Sequence, residues 1–397
     1  MPVDDMWYRR ARHPETGERL PAKRHGRGKR WRVRWVDPQS GETKTAFFEK
    51  KAHAERHDAN VHADISRGLY VDPREGKITV AEYAERWRRD QLHRDSTTAM
   101  VERAFKLHIN PILGHRELRE LRPSHIRMWV KDRSQALAAS TVRLFYSYLS
   151  SMCRAAVLDK VIGSTPCVGV RLPSVERGDR FIPTPVQIHE VARELFERYR
   201  AVPYIAAGCG LRASEVFGLE LEHVDFERRE ITVVQQLKQL PGQRPQLAEL
   251  KTKTSKRTVE LPEVVAAALR EHLEAFPPQA TEIDDCVDPK NPARRPSRLL
   301  FTTTSGLPVT RSNWSPVWRS AVKRAGLPAG FGLHGLRHYF ATLLIHSGAS
   351  VKTVQLALGH STPTITLNTY AHEWPEAVDR TRTLVDSALN LSPGAGG

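Results

Sequence analysis

Toward the C-terminal end of the sequence, basic and nucleophilic side chains recur at spacings suited to work on an anion. In His334-Gly-Leu-Arg337-His338 a helix carries His334 and Arg337, three positions apart, on one face, while Leu336, Phe340, Leu343 and Leu344 form its buried stripe. A guanidinium stays charged and donates two parallel hydrogen bonds to phosphate oxygens, so Arg337 with an imidazole beside it is a group that grips an anion. The helix stops at Ser347-Gly348, and the next, containing Val351, Val354 and Leu358, ends at Gly359, which leaves His360 just past a helix terminus. Thr362-Pro363 then supplies a cap and a first-turn proline for a short helix that carries Tyr370 near its far end. A phenol with its ordinary pKa of about 10 attacks nothing at neutral pH without a base or a strongly cationic setting. Singly, each residue has a plainer reading, as a solvated helix-face charge or a packed core tyrosine.

The ordered set outweighs those plainer readings. Upstream lie Gly210-Leu-Arg212-Ala-Ser-Glu215 and Lys251-Thr-Lys-Thr-Ser-Lys-Arg257, the latter placed in the second strand and turn of a small antiparallel sheet. The succession of GLRxxE, the lysine turn before an R-x-V-x-L strand, HGLRH, LGH and TY resembles the tyrosine recombinases, or phage integrases, over residues 184–391 and more loosely before them. The resemblance implies catalytic roles for Arg212, Lys251, His334, Arg337, His360 and Tyr370, all six positions holding the residue type that family uses. Glu215 is implied as a support for Arg212. Lys253, two residues beyond Lys251, would face the same side of an extended strand, so either lysine can be the acid. The sequence departs from the pattern at Gly335, often Asp in the family, and at Tyr339, often Thr or Ser.

Three elements must position these groups. The chain has 397 residues, too many for one compact core, and reads as multidomain, mainly α with small β-sheets. Residues 1–75 open with a basic run: Arg19 to Arg34 holds eight Lys or Arg and no acidic residue. Trp31 to Val36 and Thr43 to Phe48 alternate as a hairpin about Asp37-Pro-Gln-Ser-Gly41, and Lys51 to Arg67 is helical, giving a ββ(β)α unit. Residues 76–175 are all-α, entered through the capping box Thr79-Val-Ala-Glu82, with Val142, Phe145, Leu149, Met152 and Ala156 on one face of a long helix. A polar, proline-framed run over 171–183 reads as the connector to a mixed α+β domain, 176–397. Within it 277–298 is expected to be a loose surface loop, and Pro375 to begin a helical tail that docks on its own domain or on a neighbouring copy.

Lys and Arg total 61 against 45 acidic residues, a formal charge of +16 that favours a polyanionic partner. No stretch is apolar and long enough to span a membrane, and the four cysteines form no metal-ligand spacing. The resemblance implies cleavage and rejoining of double-stranded DNA through a 3′-phosphotyrosyl bond, with Arg212 and Arg337 clamping the scissile phosphate, His334 as general base and Lys251 as general acid. It implies an arm-type DNA-binding domain at the N-terminus, with Arg30, Arg32 and Arg34 offered to the DNA, and a helical core-binding domain of SAM-like type after it. Also implied are a homotetramer on DNA that is a monomer or dimer when free, an excision factor or host DNA-bending protein as helper, and action in the bacterial cytoplasm at the nucleoid. Neither cofactor nor metal is expected, since the ester conserves the phosphoryl linkage and no P-loop, HExxH or acidic cluster is present. A catalytically inactive DNA-binding regulator and a type IB topoisomerase-like enzyme are the alternatives.

Overall fold

The structure, a computed structural model, describes residues 3–374 apart from 69, 73, 74, 176–179, 241 and the side chain of Lys253. The tail expected from Pro375 lies outside the described residues. The chain divides into two compact units, Met1–Glu176 and Arg177–Gly397.

In the first unit the alternating stretches form the antiparallel pair Trp31–Val36 and Thr43–Phe48, in register from Trp31↔Phe48 to Val36↔Thr43. Asp37 closes the turn by accepting the Gln39 amide at 2.8 Å, and Gly41, at φ 70, takes the left-handed position a side chain would strain. A third strand, Asp4–Asp5, adds to the edge of Trp31–Val36, and helix Lys51–Ser66 packs on the sheet. The helical part is built as its signals direct. Thr79 and Glu82 cap each other's backbone amides ahead of helix Val80–Arg89, and Ala139–Leu158 buries Val142, Phe145, Leu149, Met152 and Ala156. Trp129 fills the centre of that core, its indole N–H satisfied by the His108 carbonyl at 2.8 Å.

The second unit sets two small sheets among helices. One has the order Arg257–Glu260, Glu230–Val233, Val224–Asp225; the other Ala293–Ser297, Thr281–Cys286, Gln246–Glu249, Gln235–Lys238. The lysine turn therefore links two sheets instead of closing one hairpin, and the extended stretch over 231–236 is broken at Val234 so that its halves enter different sheets. Residues 277–298 are not a loose loop. Thr281–Cys286 and Ala293–Ser297 pair antiparallel despite their Asp, Arg and Pro content. The cause is tertiary: Arg295 reaches Asp285 at 2.6 Å and the buried Glu220 at 2.7 Å, which fixes a strand that propensity alone disfavours.

Candidate active site

Helix Leu333–His346 starts beneath an aromatic lid. A Cβ at Gly335 would come within 2.3 Å of the Phe331 ring, so the departure from Asp at this position goes with a phenyl group occupying the space. One turn on, Arg337 is 1% exposed. Its Nη1 donates to the Gly210 carbonyl and its Nη2 to the Leu358 carbonyl, both at 2.6 Å. Those oxygens belong to the turn before Arg212 and to the helix end before His360, so one buried guanidinium joins three distant stretches of chain. Two glycines permit the approach. Gly210, at φ 66, faces the Phe340 ring, which a Cβ would meet at 2.4 Å. Gly359, at φ 63, ends helix Val351–Leu358 and lets the Ser255 backbone pass 3.1 Å from where its Cβ would stand.

Arg212 caps the short helix Ala213–Val216. The Glu215 carboxylate receives the Arg212 amide at 3.0 Å and Nη1 at 2.6 Å, and also Nη2 of Arg257 at 3.0 Å. Arg257 is held in turn by the carbonyls of Ala357 and Ser255, at 2.9 and 3.1 Å. Burial raises the Glu215 pKa, but Arg257 and Arg212 outweigh it and hold the carboxyl below its ordinary value. Because the folded pKa is depressed, this carboxylate's contribution to stability is present above the unfolded carboxyl range and is lost as pH falls through the folded value. Glu215→Gln leaves Arg257, whose side chain is 6% exposed, without its counter-charge, a cost of about 3 kcal/mol. Thermal melts across pH check this: the deficit against wild type is full at neutral pH and shrinks in acid, whereas a pH-independent gap would refute the ionic account.

His360 follows the Gly359 turn, its backbone tied to Gln355 in both directions and its Nδ1 2.9 Å from the Thr366 hydroxyl. Tyr370, 3% exposed, closes helix Pro363–Tyr370. Its hydroxyl lies 2.6 Å from Nδ1 of His338, and the His338 and His334 rings meet edge to face with centroids 4.7 Å apart. Arg180, on the stretch before helix Pro185–Arg193, donates to the Thr369 carbonyl at 3.2 Å.

The electrostatics follow from burial among like charges. Burial lowers the pKa of His338 to about 3, with His334, Arg180, Arg337 and His360 adding to the effect. Burial together with Arg337, Arg212 and Arg257 brings His360 to about 4. His334 is exposed, yet desolvation by its surroundings and the guanidiniums of Arg337, Arg212 and Arg180 hold it below its usual value. All three imidazoles are thus neutral at pH 7. Burial raises the phenol of Tyr370 to about 12, against the pull of Arg337 and Arg180. Such a site is short of negative charge, and a phosphate relieves it.

Arg212, His334, Arg337, His360 and Tyr370 are therefore gathered by the fold, with Glu215 in support. Lys251 stands exposed after strand Gln246–Glu249, and among the described residues no hydrogen bond or ion pair joins it to the other five. The Lys253 side chain lies outside the described residues, while its backbone forms the 3-10 turn Lys253–Ser255, not an extended strand that would align it with Lys251. Three residues were missed from sequence. His338 was signalled by its place four positions after His334. Arg257 was signalled as the first residue of the R-x-V-x-L strand, and Arg180 carried no local signal. In the first unit Arg30, Arg32 and Arg34 do not stand free: Arg30 pairs with Asp5 at 2.8 Å, Arg32 and Arg34 with Asp4 at 2.9 and 3.2 Å. Among the described residues no His, Cys, Asp or Glu cluster could hold a metal ion, and no helix is long and apolar enough to cross a membrane.

Comparison with known proteins extends the pattern beyond this site. Residues 186–376 match the model of the phage integrase family, and residues 79–133 that of the phage integrase N-terminal SAM-like domain. An integrase of Mycobacterium phage D29 is 29% identical over 288 residues, covering 72% of each chain. The fold is that of the Tn1549 transposon integrase solved with circular intermediate DNA, at TM-score 0.67 and 23% identity over 78% of this chain and 99% of that one. It is also that of a lambda integrase tetramer solved on a Holliday junction, at TM-score 0.55 and 15% identity over 83% and 93%.

Proposed function

The chain belongs to the phage integrase family of tyrosine recombinases and is a site-specific recombinase that cleaves and rejoins DNA, and we propose that Arg212, Lys251, His334, Arg337, His360 and Tyr370 carry the reaction. The observation that supports these roles is the delivery of the Tyr370 hydroxyl into a pocket where Arg337, Arg180 and Arg212 outnumber the single carboxylate, Glu373, that acts on it. In-line attack on a phosphodiester loads the non-bridging oxygens with negative charge. Preorganised guanidiniums answer it without reorganising. Arg337 keeps three N–H bonds beyond the two that hold it in place, and Arg212 reaches the same centre from its helix cap. His334 and His360 add hydrogen bonds to those oxygens. Lys251, on an exposed turn, protonates the departing 5′ oxygen once DNA draws that turn in. The product is a 3′-phosphotyrosyl ester and a free 5′ hydroxyl, from which a second 5′ hydroxyl reverses the step without a nucleotide.

The first unit divides in function near residue 75. Its helical part contacts the core site, where Arg127, Lys131 and Arg171 line one exposed cleft suited to phosphates. Its sheet meets arm-type DNA through the strand of Arg32 and Arg34 with Arg30 just before it, and phosphates there must displace Asp4 and Asp5. The working form is a homotetramer on paired sites in the bacterial nucleoid, assisted by an excision factor or a host DNA-bending protein.

The test is a nicked duplex carrying the DNA that flanks the gene. Wild-type protein is expected to become trapped on the 3′ side of the nick, and two intact sites to give recombinant products. Trapping without recombinants would favour the topoisomerase-like alternative, and no trapping the inactive regulator.

A further inference from the structure

Tyr370 needs a partner for its proton, and the fold supplies a different histidine from the one the motif order suggests. Among the described residues the hydroxyl makes one hydrogen bond, to Nδ1 of His338 at 2.6 Å, with ring centroids 5.4 Å apart at an interplanar angle of 62°. His334 has no such bond to the phenol and stands exposed at the first turn of the helix, open to a substrate oxygen. We propose that His338 is the general base that takes the Tyr370 proton, leaving His334 to bind the scissile phosphate. The inference rests on the recombinase reading above and deepens it.

The step balances. With its own proton on Nε2, His338 accepts the phenol O–H at Nδ1. As Oη bonds to phosphorus and the P–O5′ bond breaks, the phenolic proton passes to Nδ1 and Lys251 gives a proton to the 5′ oxygen. Religation returns both protons along the same paths. The distance meets the first requirement of a general base, hydrogen-bond reach of the proton it abstracts. Electrostatics add a control. Arg337 on its own helix and Arg180 before helix Pro185–Arg193 press positive charge on His338, and His334 on its own helix and His360 after helix Val351–Leu358, neutral beside it, offer no counter-charge, while Tyr370 faces it from the last helix. Without DNA an imidazolium there is unfavourable, so the proton stays on the phenol. A phosphodiester anion held by the same arginines offsets that repulsion, and the nucleophile is activated only when substrate is in place.

The experiment measures single-turnover covalent attachment to the nicked duplex over a range of pH, with an ordinary or a 5′-bridging phosphorothiolate scissile linkage. A thiolate leaves without being protonated, so the sulfur substrate bypasses the acid but not the base. His338→Asn places an amide oxygen near Nδ1, keeps the hydrogen bond and cannot take a proton. It is expected to be slower by ~10²-fold on both substrates, with the loss shrinking as pH rises and the phenol ionises unaided. Lys251→Ala should regain its rate on the sulfur substrate. Difluorotyrosine at position 370, a more acidic phenol, should restore much of the His338→Asn rate. In the otherwise native protein it should flatten the acidic limb of the pH profile, a readout that holds even where the Asn variant fails to fold. A His338→Asn rate close to wild type, an equal loss at every pH, or a base signature that moves instead with His334→Gln would overturn the assignment. Absence of covalent attachment by the wild-type protein would instead refute the recombinase reading itself.

Discussion

Tyr370→Phe should leave no covalent protein on nicked DNA, while the variant still folds and still retards the duplex in a gel. The ring is 3% exposed and stays packed among Ala341, Ile345, Val354 and Leu358, so the apolar contacts survive. What goes is the hydroxyl and with it the bond to His338, which leaves a half-buried ring nitrogen unpaired at a cost of about 1–2 kcal/mol. A modest drop in melting temperature is therefore expected. The chemistry suffers differently. No other side chain can replace the phenol oxygen: Ser, Thr or water near the arginines would give hydrolysis or another adduct, not a 3′-phosphotyrosyl ester. The check is a denaturing gel with end-labelled nicked DNA, beside a native gel for binding. A covalent adduct surviving in the Phe variant would move the nucleophile elsewhere and undo the proposed site. Loss of both adduct and binding would mean that the substitution had damaged the fold.

The motifs that name the chemistry were legible because each is local. HGLRH, LGH and TY fix residue type and helix position within a few residues, and Gly359 announces its turn by being glycine. How these pieces meet was not legible. Arg337 bonds to a carbonyl 127 positions away, and Glu215 pairs with an arginine 42 positions on. Neither contact leaves a periodic trace, because it depends on which loops the sheets bring alongside. His338 shows the limit most directly. Helical spacing puts it on the face of His334, but which imidazole meets the phenol is set by the direction of helix Pro363–Tyr370, and so by the turn at Gly359 and the first-turn Pro363. The basic run at the N-terminus misled in another way. Alternation placed Arg30, Arg32 and Arg34 on one side of an extended stretch, and nothing local told that Asp4 and Asp5 would come to lie against them. The Asp- and Pro-containing strands over 281–297 failed for want of propensity, since Arg295 and the buried Glu220 decide their pairing.

Arg337→Lys should slow cleavage by ~10²- to 10³-fold although the charge is kept, and the reason is geometric. The guanidinium spans two carbonyl oxygens, Gly210 on one side and Leu358 on the other, and still presents N–H bonds to the pocket. An ammonium on a flexible stem reaches one of those oxygens, or the phosphate, but cannot bridge all three. A stranded buried carbonyl costs about 1–3 kcal/mol, so the variant melts lower than wild type. The turns carrying Arg212 and His360, no longer tied to one centre, lose their alignment with Tyr370. The charge that Arg337 exerts on Tyr370 and His338 stays nearly the same, so the pH profile of the residual activity should keep its shape while its height falls. Binding to the nicked duplex should change little, because most phosphate contacts lie elsewhere on a chain of net charge +16. Single-turnover rates and melts on the same preparation separate the two effects. A Lys variant that cleaves at the wild-type rate would show that positive charge alone suffices at this position. A shifted pH profile with normal height would show that Arg337 acts by tuning the histidines instead of clamping the phosphate.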